Sequence, residues 1–170
     1  MKFKFLIPSI AAVAMIGGTL AVTGVSQADV KTSDGYSVSV AQADLGATLK
    51  KRNSLMKNIS KTRKGLSGAA KKGKIGPAEV AAAEKLAALT KQLDMSLWPK
   101  GSGSDMHKTR SKPDIWNDTA DFQKRVAKMQ KAAADGATAA KGGDAKAVAK
   151  AMGDMGCGGC HKKYRGPKVK

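Results

Sequence analysis

Four segments of this chain repeat apolar residues at alternating steps of three and four, and this periodicity most limits how the chain can fold. The first stripe consists of Leu45, Leu49, Arg52, Met56, Ile59, Arg63 and Leu66. Later stripes run through residues 80–97, 115–133 and 145–155, and the breaks between stripes are residues 67–76, 98–112 and 136–143. Such spacing places each stripe on one face of an α-helix. Four helices joined by short connections predict an all-α, antiparallel four-helix bundle.

The composition agrees with packed helices but supplies few large apolar side chains for a core. Aromatic residues make up 4% of the 170 residues, which disfavours a β-sandwich or barrel. The length suits a single domain. Alanine fills many inward positions, so the core would be thin. A bulky apolar cofactor in the bundle would explain this shortage, although alanine-rich bundles without a cofactor also exist.

The N-terminal residues follow the order of a secretory signal peptide. Lys2 and Lys4 precede an apolar run over residues 5–22, and the small residues of a cleavage site follow it, ending at Ala28. We predict cleavage after Ala28. The alternative is a retained membrane anchor, for which the run is close to the lower length limit. Export in a Gram-negative bacterium would place the mature protein in the periplasm.

The sequence thus predicts three segments. Residues 1–28 form the signal peptide, residues 29–40 a loose arm, and residues 41–170 the four-helix-bundle domain. The arm shows strand-like alternation but has no partner strand. No later stretch is long and apolar enough to cross a bilayer, so no membrane anchor is expected after cleavage.

The segment Cys157-Gly158-Gly159-Cys160-His161 matches the C-x-x-C-H pattern of c-type haem attachment. On a helix, positions i, i+3 and i+4 share a face, so both thiols and the imidazole point to the same object. Thiols one turn apart can add across the two haem vinyl groups, and the histidine then reaches the iron. One such motif predicts one haem c, attached through Cys157 and Cys160 and ligated by His161.

Three other interpretations of the two cysteines remain open from the sequence. A thiol–disulfide redox centre also uses C-x-x-C, but no βαβ pattern surrounds this one. A structural zinc site needs four ligands, and His107 is the only further histidine. A disulfide between Cys157 and Cys160 would close a short loop and stabilise little. If the two cysteines form a disulfide or bind a structural metal ion, the chain would be a basic helical binding protein.

A C-x-x-C-H motif at the end of four helical segments resembles the class II cytochromes c, the family of cytochrome c prime and its low-spin relatives. The resemblance covers about residues 42–165. It rests on Arg52, Met56, Trp98, Pro99, Gly101, Lys112, Pro113, Asp114, Ile115, Trp116, Asp121, Phe122, Cys157, Cys160, His161, Tyr164 and Arg165. The family implies a periplasmic haem protein, often dimeric, with thioethers at Cys157 and Cys160 and the proximal ligand at His161.

The sixth iron ligand decides the function. A thioether in that position gives a low-spin iron suited to electron transfer, whereas an open position admits a small gas. Met56 lies in the first stripe, and the low-spin relatives carry a distal methionine at this place. We therefore expect His161 and Met56 to ligate the iron of an electron carrier. The alternatives are a five-coordinate cytochrome c prime that binds nitric oxide or carbon monoxide, and a Met56 that only fills the core.

Arg52 lies one helical turn from Met56 on the same stripe, where an unpaired charge would be costly. The resemblance implies that it binds a haem propionate, for which a guanidinium is a suitable partner. Alternatively, the side chain of Arg52 extends along the helix so that its charge reaches water. Asn53 and Ser111 are further candidates for propionate contacts.

The charge balance suggests the kind of partner. Lysine and arginine number 31 against 13 acidic residues, which gives a net charge of +18. Such a charge favours docking to redox partners with acidic surfaces, for instance beside the basic residues 162–165. No nucleic-acid-binding motif is present, and export argues against that function. No acid/base pair, nucleophile constellation or nucleotide loop appears, so we predict a carrier and not an enzyme.

Overall fold

The computed structural model describes the backbone of residues 35–169 and the side chains of residues 44–169, so the predicted signal peptide lies outside the described residues. The described residues contain α1 (Gly35–Lys71), α2 (Pro77–Lys91), α3 (Asp114–Asn117), α4 (Thr119–Lys141), α5 (Ala145–Asp154) and α6 (Cys157–Tyr164). A 3₁₀ turn, Met95–Leu97, follows α2. The predicted all-α four-helix bundle is confirmed, and within residues 35–169 no helix is long and apolar enough to cross a membrane.

Helices α1, α2, α4 and α5 form the four-helix bundle and occupy the corners of a square in cross-section. Helix α1 packs against α2 and α5, and α4 packs against the same two helices, so α1 and α4 lie diagonally opposite each other. The short helix α6 packs against α3 and α4. Turns of a few residues join α1 to α2 and α4 to α5, which makes these pairs antiparallel.

Polar side chains and one proline fix where these helices begin. Pro77 opens α2, and Glu79 Oε2 accepts a 3.0 Å hydrogen bond from the preceding backbone N–H of Gly76. Asp118 Oδ1 accepts a 3.2 Å bond from Asp121 N at the start of α4, and Asp144 caps α5 in the same way. Each of these contacts pairs a backbone donor that the first helical turn leaves free.

Two helices are longer than the sequence predicts. Helix α1 already includes residues 35–40, which were expected to belong to the loose arm, and it continues through residues 67–71, where a break was predicted; residues 29–34 lie outside the described residues. Helix α4 continues through Gly136 to Lys141, whereas a break was predicted from Gly136 onward. Gly136 permits close packing, because a Cβ there would lie 2.8 Å from Met152 Cε and 3.3 Å from Ala151 Cβ. The missing side chain therefore brings α4 close to α5.

The core is as rich in alanine as the sequence suggested. Seven of its buried apolar residues are Ala70, Ala83, Ala132, Ala133, Ala137, Ala140 and Ala151. Among the described residues, the buried aromatic side chains gather instead where the loop 98–112, α4 and α6 meet. That end of the bundle holds the motif residues.

Candidate functional site

The C-x-x-C-H residues occupy a short helix of their own. Gly156 precedes α6 with φ +64°, a left-handed conformation that turns the chain between α5 and α6. Cys157, Cys160 and His161 are each half-buried, and the two cysteines pack against the hydrophobic core as free thiols. A Cβ at Gly158 would meet nothing within 4 Å, so this side of α6 is open.

Burial changes the acid–base properties of two of these groups. It raises the pKa of the Cys160 thiol above its ordinary value. It also lowers the pKa of His161, with smaller contributions from the charges of Arg165 and Arg110. A neutral imidazole is the form in which histidine binds a metal.

A cluster of ion pairs fixes the end of α6 to the start of α4. Asp121 Oδ2 accepts hydrogen bonds from Arg125 Nε at 2.7 Å, Tyr164 Oη at 2.6 Å and Lys163 Nζ at 3.0 Å. Lys163 Nζ also donates to Asp118 at 2.5 Å. These donors, Arg125 first, hold the pKa of Asp121 well below its usual range, and the two carboxylates raise the pKa of Lys163. We call Asp118, Asp121, Arg125, Lys163 and Tyr164 the α4–α6 cluster.

Three aromatic rings support the same junction. Phe122 packs edge-on between Trp98, at a centroid distance of 5.0 Å, and Tyr164, at 5.2 Å. All three residues are buried. Trp116 Nε1 donates a 3.0 Å hydrogen bond to Trp98 O, which secures the loop that carries Trp98. The stack joins the loop, α4 and α6 through one continuous contact.

The loop 98–112 is also bonded to the C-terminal segment. Ser111 and Arg165 form an isolated antiparallel bridge, and Lys112 N donates to Tyr164 O at 3.0 Å. Gly166 N donates to Arg110 O at 2.7 Å. Ser111 is half-buried in this bridge and directly precedes Lys112, so it lies at the motif's end of the bundle.

Arg52 is a buried cation held by the loop. It is 5% exposed and donates from Nη1 to Leu97 O and Ser102 Oγ, both at 3.2 Å. Nη2 donates to Ser102 O at 3.3 Å and to Thr109 Oγ1 at 2.6 Å. The guanidinium also lies 5.8 Å from the centre of the Trp98 ring. The alternative of a side chain that reaches out to water is therefore wrong.

The charge on Arg52 lacks a carboxylate partner among the described residues. None of the ion pairs within residues 44–169 includes it. Burial lowers its pKa to about 10, so the guanidinium stays charged at neutral pH. A buried cation whose partners are all neutral favours an anionic group beside it.

Met56 differs from the methionines that fill the core. Met152 and Met155 are 1% and 2% exposed, whereas Met56 packs against the core but remains half-buried. Its neighbours on α1, Leu55 and Ile59, are both buried. Asn53 is exposed on the same helix. The thioether of Met56 is thus accessible to a group placed next to α1.

These residues fit a covalently attached haem better than a metal clip. Two free thiols and an imidazole share one short helix, an accessible thioether lies on α1, and Arg52 supplies an unneutralised buried charge. Within residues 44–169, by contrast, no group of three or more His, Cys, Asp and Glu side chains is arranged to hold a metal ion. The two thiols are not joined in a disulfide.

Sequence reasoning missed the polar contacts that position the site. Asp121 and Tyr164 carried no predicted contact beyond the resemblance, Lys163 was assigned only to the basic docking segment 162–165, and the loop residues Ser102 and Thr109 were not singled out. A signal existed for the α4–α6 cluster, since an acidic first turn on α4 faces a basic tail after the motif. No periodic signal marks Ser102 or Thr109, because both lie in an irregular loop.

Comparisons with known proteins agree with this geometry. The family model described as "Cytochrome C'" matches residues 47–165. Cytochrome c-554 from Cereibacter sphaeroides is 40% identical over 105 residues, which cover 59% of this chain and 78% of that protein.

Solved structures of cytochrome c' have the same fold. The protein from Thermochromatium tepidum gives a TM-score of 0.64 at 27% identity, covering 72% of this chain and 97% of that one. The nitric oxide complex of a mutant cytochrome c' from Alcaligenes xylosoxidans gives a TM-score of 0.62 at 26% identity, covering 73% and 97%. The chain therefore belongs to the cytochrome c' family and is a monohaem c-type cytochrome with one covalently bound haem c.

Proposed function

We propose that this cytochrome is a periplasmic electron carrier whose iron is ligated by His161 and Met56. The observation that supports it most is the state of Met56. This methionine lies on the core-facing stripe of α1, yet it is only half-buried, whereas Met152 and Met155 are fully buried. Met95 and Met129 are half-buried as well, but neither lies on the stripe of α1 that holds Arg52, and a thioether enclosed like those of Met152 and Met155 could not reach an iron. An accessible one can act as a ligand.

Each residue of the site has a distinct task in this proposal. Cys157 and Cys160 attach the haem through thioethers, and His161 binds the iron with its neutral imidazole. Arg52 neutralises a haem propionate, because its buried charge has only neutral partners among the described residues. We assign Asn53 and Ser111 to polar contacts around the propionates, as the sequence predicted.

Haem, when bound, supplies the one-electron iron couple. The protein's own residues keep the surroundings constant during electron transfer. The α4–α6 cluster and the aromatic stack fix α6, and the bonds of Arg52 fix the loop 98–112 against α1. A rigid environment with a thioether ligand favours a low-spin iron in both oxidation states. The proposal therefore requires no catalytic residue, in keeping with the prediction that the chain is not an enzyme.

Charges beside α6 suit an acidic redox partner. Lys162, Arg165 and Lys168 are exposed, and none of them takes part in an ion pair among the described residues. Exposed like charges next to the haem attachment steer the approach of an oppositely charged protein. Localisation in the periplasm rests on the predicted signal peptide, and homodimer formation on the resemblance.

The optical spectrum of the purified holoprotein tests the ligand assignment. We expect a low-spin spectrum, oxidised and reduced, that does not change when carbon monoxide is added. Met56→Leu should convert it to a high-spin spectrum that shifts with carbon monoxide. Met129→Leu is the matched control, because Met129 is also half-buried against the core but lies on α4. A low-spin spectrum in Met56→Leu would show that Met56 is not a ligand.

A second function has a specific observation in its favour. One structurally similar cytochrome c' was solved as a nitric oxide complex. If the wild-type protein is high-spin and its spectrum shifts with carbon monoxide, the sixth position is open. The chain would then be a gas-binding cytochrome c', and Met56 would only pack beside the haem.

A further inference from the structure

The outer face of α1 carries a straight row of lysines. We call it the lysine stripe, and its members are Lys50, Lys57, Lys61, Lys64 and Lys71. At 100° per residue these five positions fall within about 80° of arc, and at 1.5 Å per residue they span about 32 Å. All five side chains are exposed. Gly68, which lies in the same row, leaves open space around it.

Within residues 44–169, no ion pair neutralises a lysine of the stripe. No aspartate or glutamate occurs between residues 45 and 78. The ion-paired lysines among the described residues are Lys112, Lys131, Lys141, Lys150 and Lys163, and all of them lie outside α1. The other helices thus mix their charges, whereas α1 presents one sign along most of its length.

The lysine stripe is centred on a different face of α1 from Arg52 and Met56. At 100° per residue, Arg52 lies about 120–160° around α1 from Lys50, Lys57 and Lys64, and Met56 lies about 80–120° from them. A redox partner seated on the stripe would contact the solvent side of α1, and not the face that carries Arg52 and Met56. The cations beside α6 are better placed for electron transfer, so the stripe serves a different contact.

The face also lacks the anchors of a protein interface. The exposed large apolar residues within the described part of the chain are Met106 and Val169, and neither lies on α1. Protein interfaces take most of their energy from a few buried aromatic or apolar anchors. A long line of flexible ammonium groups without such anchors fits a flat and diffuse field of negative charge instead.

From this placement we propose that the lysine stripe adsorbs the protein to an anionic phospholipid bilayer. The contact is electrostatic and reversible, with the lysines at the headgroups and no helix inserted. It leaves the loop end of the bundle accessible. The proposal does not depend on whether Met56 ligates the iron, since no lysine of the stripe is assigned to the site.

Removing three of the five lysines should weaken adsorption strongly. Each lysine near an anionic membrane strengthens binding about fivefold, so three together contribute on the order of 100-fold. The test variant is Lys57→Gln/Lys61→Gln/Lys64→Gln. Its control is Lys124→Gln/Lys128→Gln/Lys131→Gln, three exposed lysines of α4, the helix diagonal to α1. Both variants lose the same charge, and glutamine preserves helix propensity.

Sedimentation of the holoprotein with lipid vesicles at low ionic strength measures the binding. We expect the wild type to bind vesicles of phosphatidylcholine mixed with phosphatidylglycerol, but not phosphatidylcholine alone. The α1 variant should lose on the order of 100-fold in affinity, whereas the α4 variant stays within about threefold of the wild type. Unchanged circular dichroism and haem absorption confirm that both variants are folded.

Three results would overturn the proposal. Equal losses of vesicle affinity in the two variants would mean that the net charge of the protein, and not the position of the stripe, causes the binding. Absence of wild-type binding to the anionic vesicles would exclude a lipid surface. A soluble polyglutamate that binds through the stripe, without vesicle binding, would identify an acidic protein as its partner.

Discussion

The two ends of the bundle are held together by different interactions. At the turn end, where residues 72–76 and 142–144 join the helices, small residues such as Ala140 and Gly136 let the backbones approach closely. At the loop end, the rings of Trp98, Phe122 and Tyr164 and the buried Arg52 link three segments. One end is plain helix packing, and the other is a network of aromatic and charged groups.

This difference matches the difference in task. Packing of alanine and glycine stabilises the bundle without orienting any particular side chain. Hydrogen bonds and ion pairs have direction, so the loop end can hold α6 and Arg52 in fixed positions. We therefore expect changes at the turn end to alter stability alone, and changes at the loop end to alter stability and the haem spectrum together.

The largest effect is expected from Phe122→Ala. Phe122 is 4% exposed and contacts both Trp98 and Tyr164, so its loss leaves a cavity at the loop end. The free energy of unfolding should fall by about 3–5 kcal/mol. Because Tyr164 belongs to α6, part of the haem should become high-spin and accessible to carbon monoxide. Urea unfolding and the optical spectrum of the holoprotein measure the two effects.

Leu66→Ala is the matched variant on the other side of the comparison. Leu66 is 2% exposed on α1, toward the turn end. Its truncation should cost about 2–5 kcal/mol but leave the haem spectrum of the folded protein unchanged. If both variants changed the spectrum equally, the two ends would not differ in function as we describe.

The turn end could be predicted from the sequence because its signals are local. The apolar stripes and Pro77 predicted four helices and the start of α2. The same reasoning misplaced the end of the third helical segment at Gly136, since a glycine can end a helix or permit close packing. Only the neighbouring α5, with Met152 against Gly136, decides between these two roles.

The loop end could be predicted in part. The motif residues Cys157, Cys160 and His161 are adjacent in sequence and were assigned from their spacing. The contacts of Arg52 with Ser102 and Thr109 join residues 50 and 57 positions apart, through a loop that has no periodicity. Such long-range polar pairs follow from the tertiary fold, and spacing within one segment does not reveal them.

A smaller effect is expected from Gly136→Val. The new side chain would overlap Met152 Cε and lie tight against Ala151 Cβ, so the buried Met152 side chain would have to shift. Overpacking of this kind costs about 1–3 kcal/mol. Thermal unfolding measures it, and the haem spectrum should stay that of the wild type.

Gly153→Ala provides the opposite case on the same helix pair. A Cβ at Gly153 would meet nothing within 4 Å, and the residue is exposed within α5. Alanine should therefore stabilise the protein by up to about 1 kcal/mol through helix propensity. Equal destabilisation by both glycine replacements would contradict the view that close approach, and not backbone conformation, explains Gly136.

The smallest effect concerns the α4–α6 cluster and appears as a dependence on pH. Hydrogen bonds from Arg125, Tyr164 and Lys163 hold the pKa of Asp121 well below its usual range. A carboxyl whose folded pKa is lowered contributes stability above its unfolded pKa, near 4, and loses that contribution as the pH falls further. The wild type should therefore lose stability in acid more steeply than Asp121→Asn.

Asp135→Asn separates this effect from a general loss of charge. Asp135 is exposed, and Lys131 is its one ion-pair partner among the described residues, so its replacement should leave the acid-induced decline as steep as in the wild type. Melting temperatures of the holoproteins between about pH 2 and pH 7 give the comparison. Because Asp121 binds two residues of α6, its variant should also raise the fraction of haem that binds carbon monoxide, whereas Asp135→Asn should not. Identical acid profiles for all three proteins would mean that the cluster positions α6 without contributing to stability, and the contrast between the two ends would then rest on the aromatic rings alone.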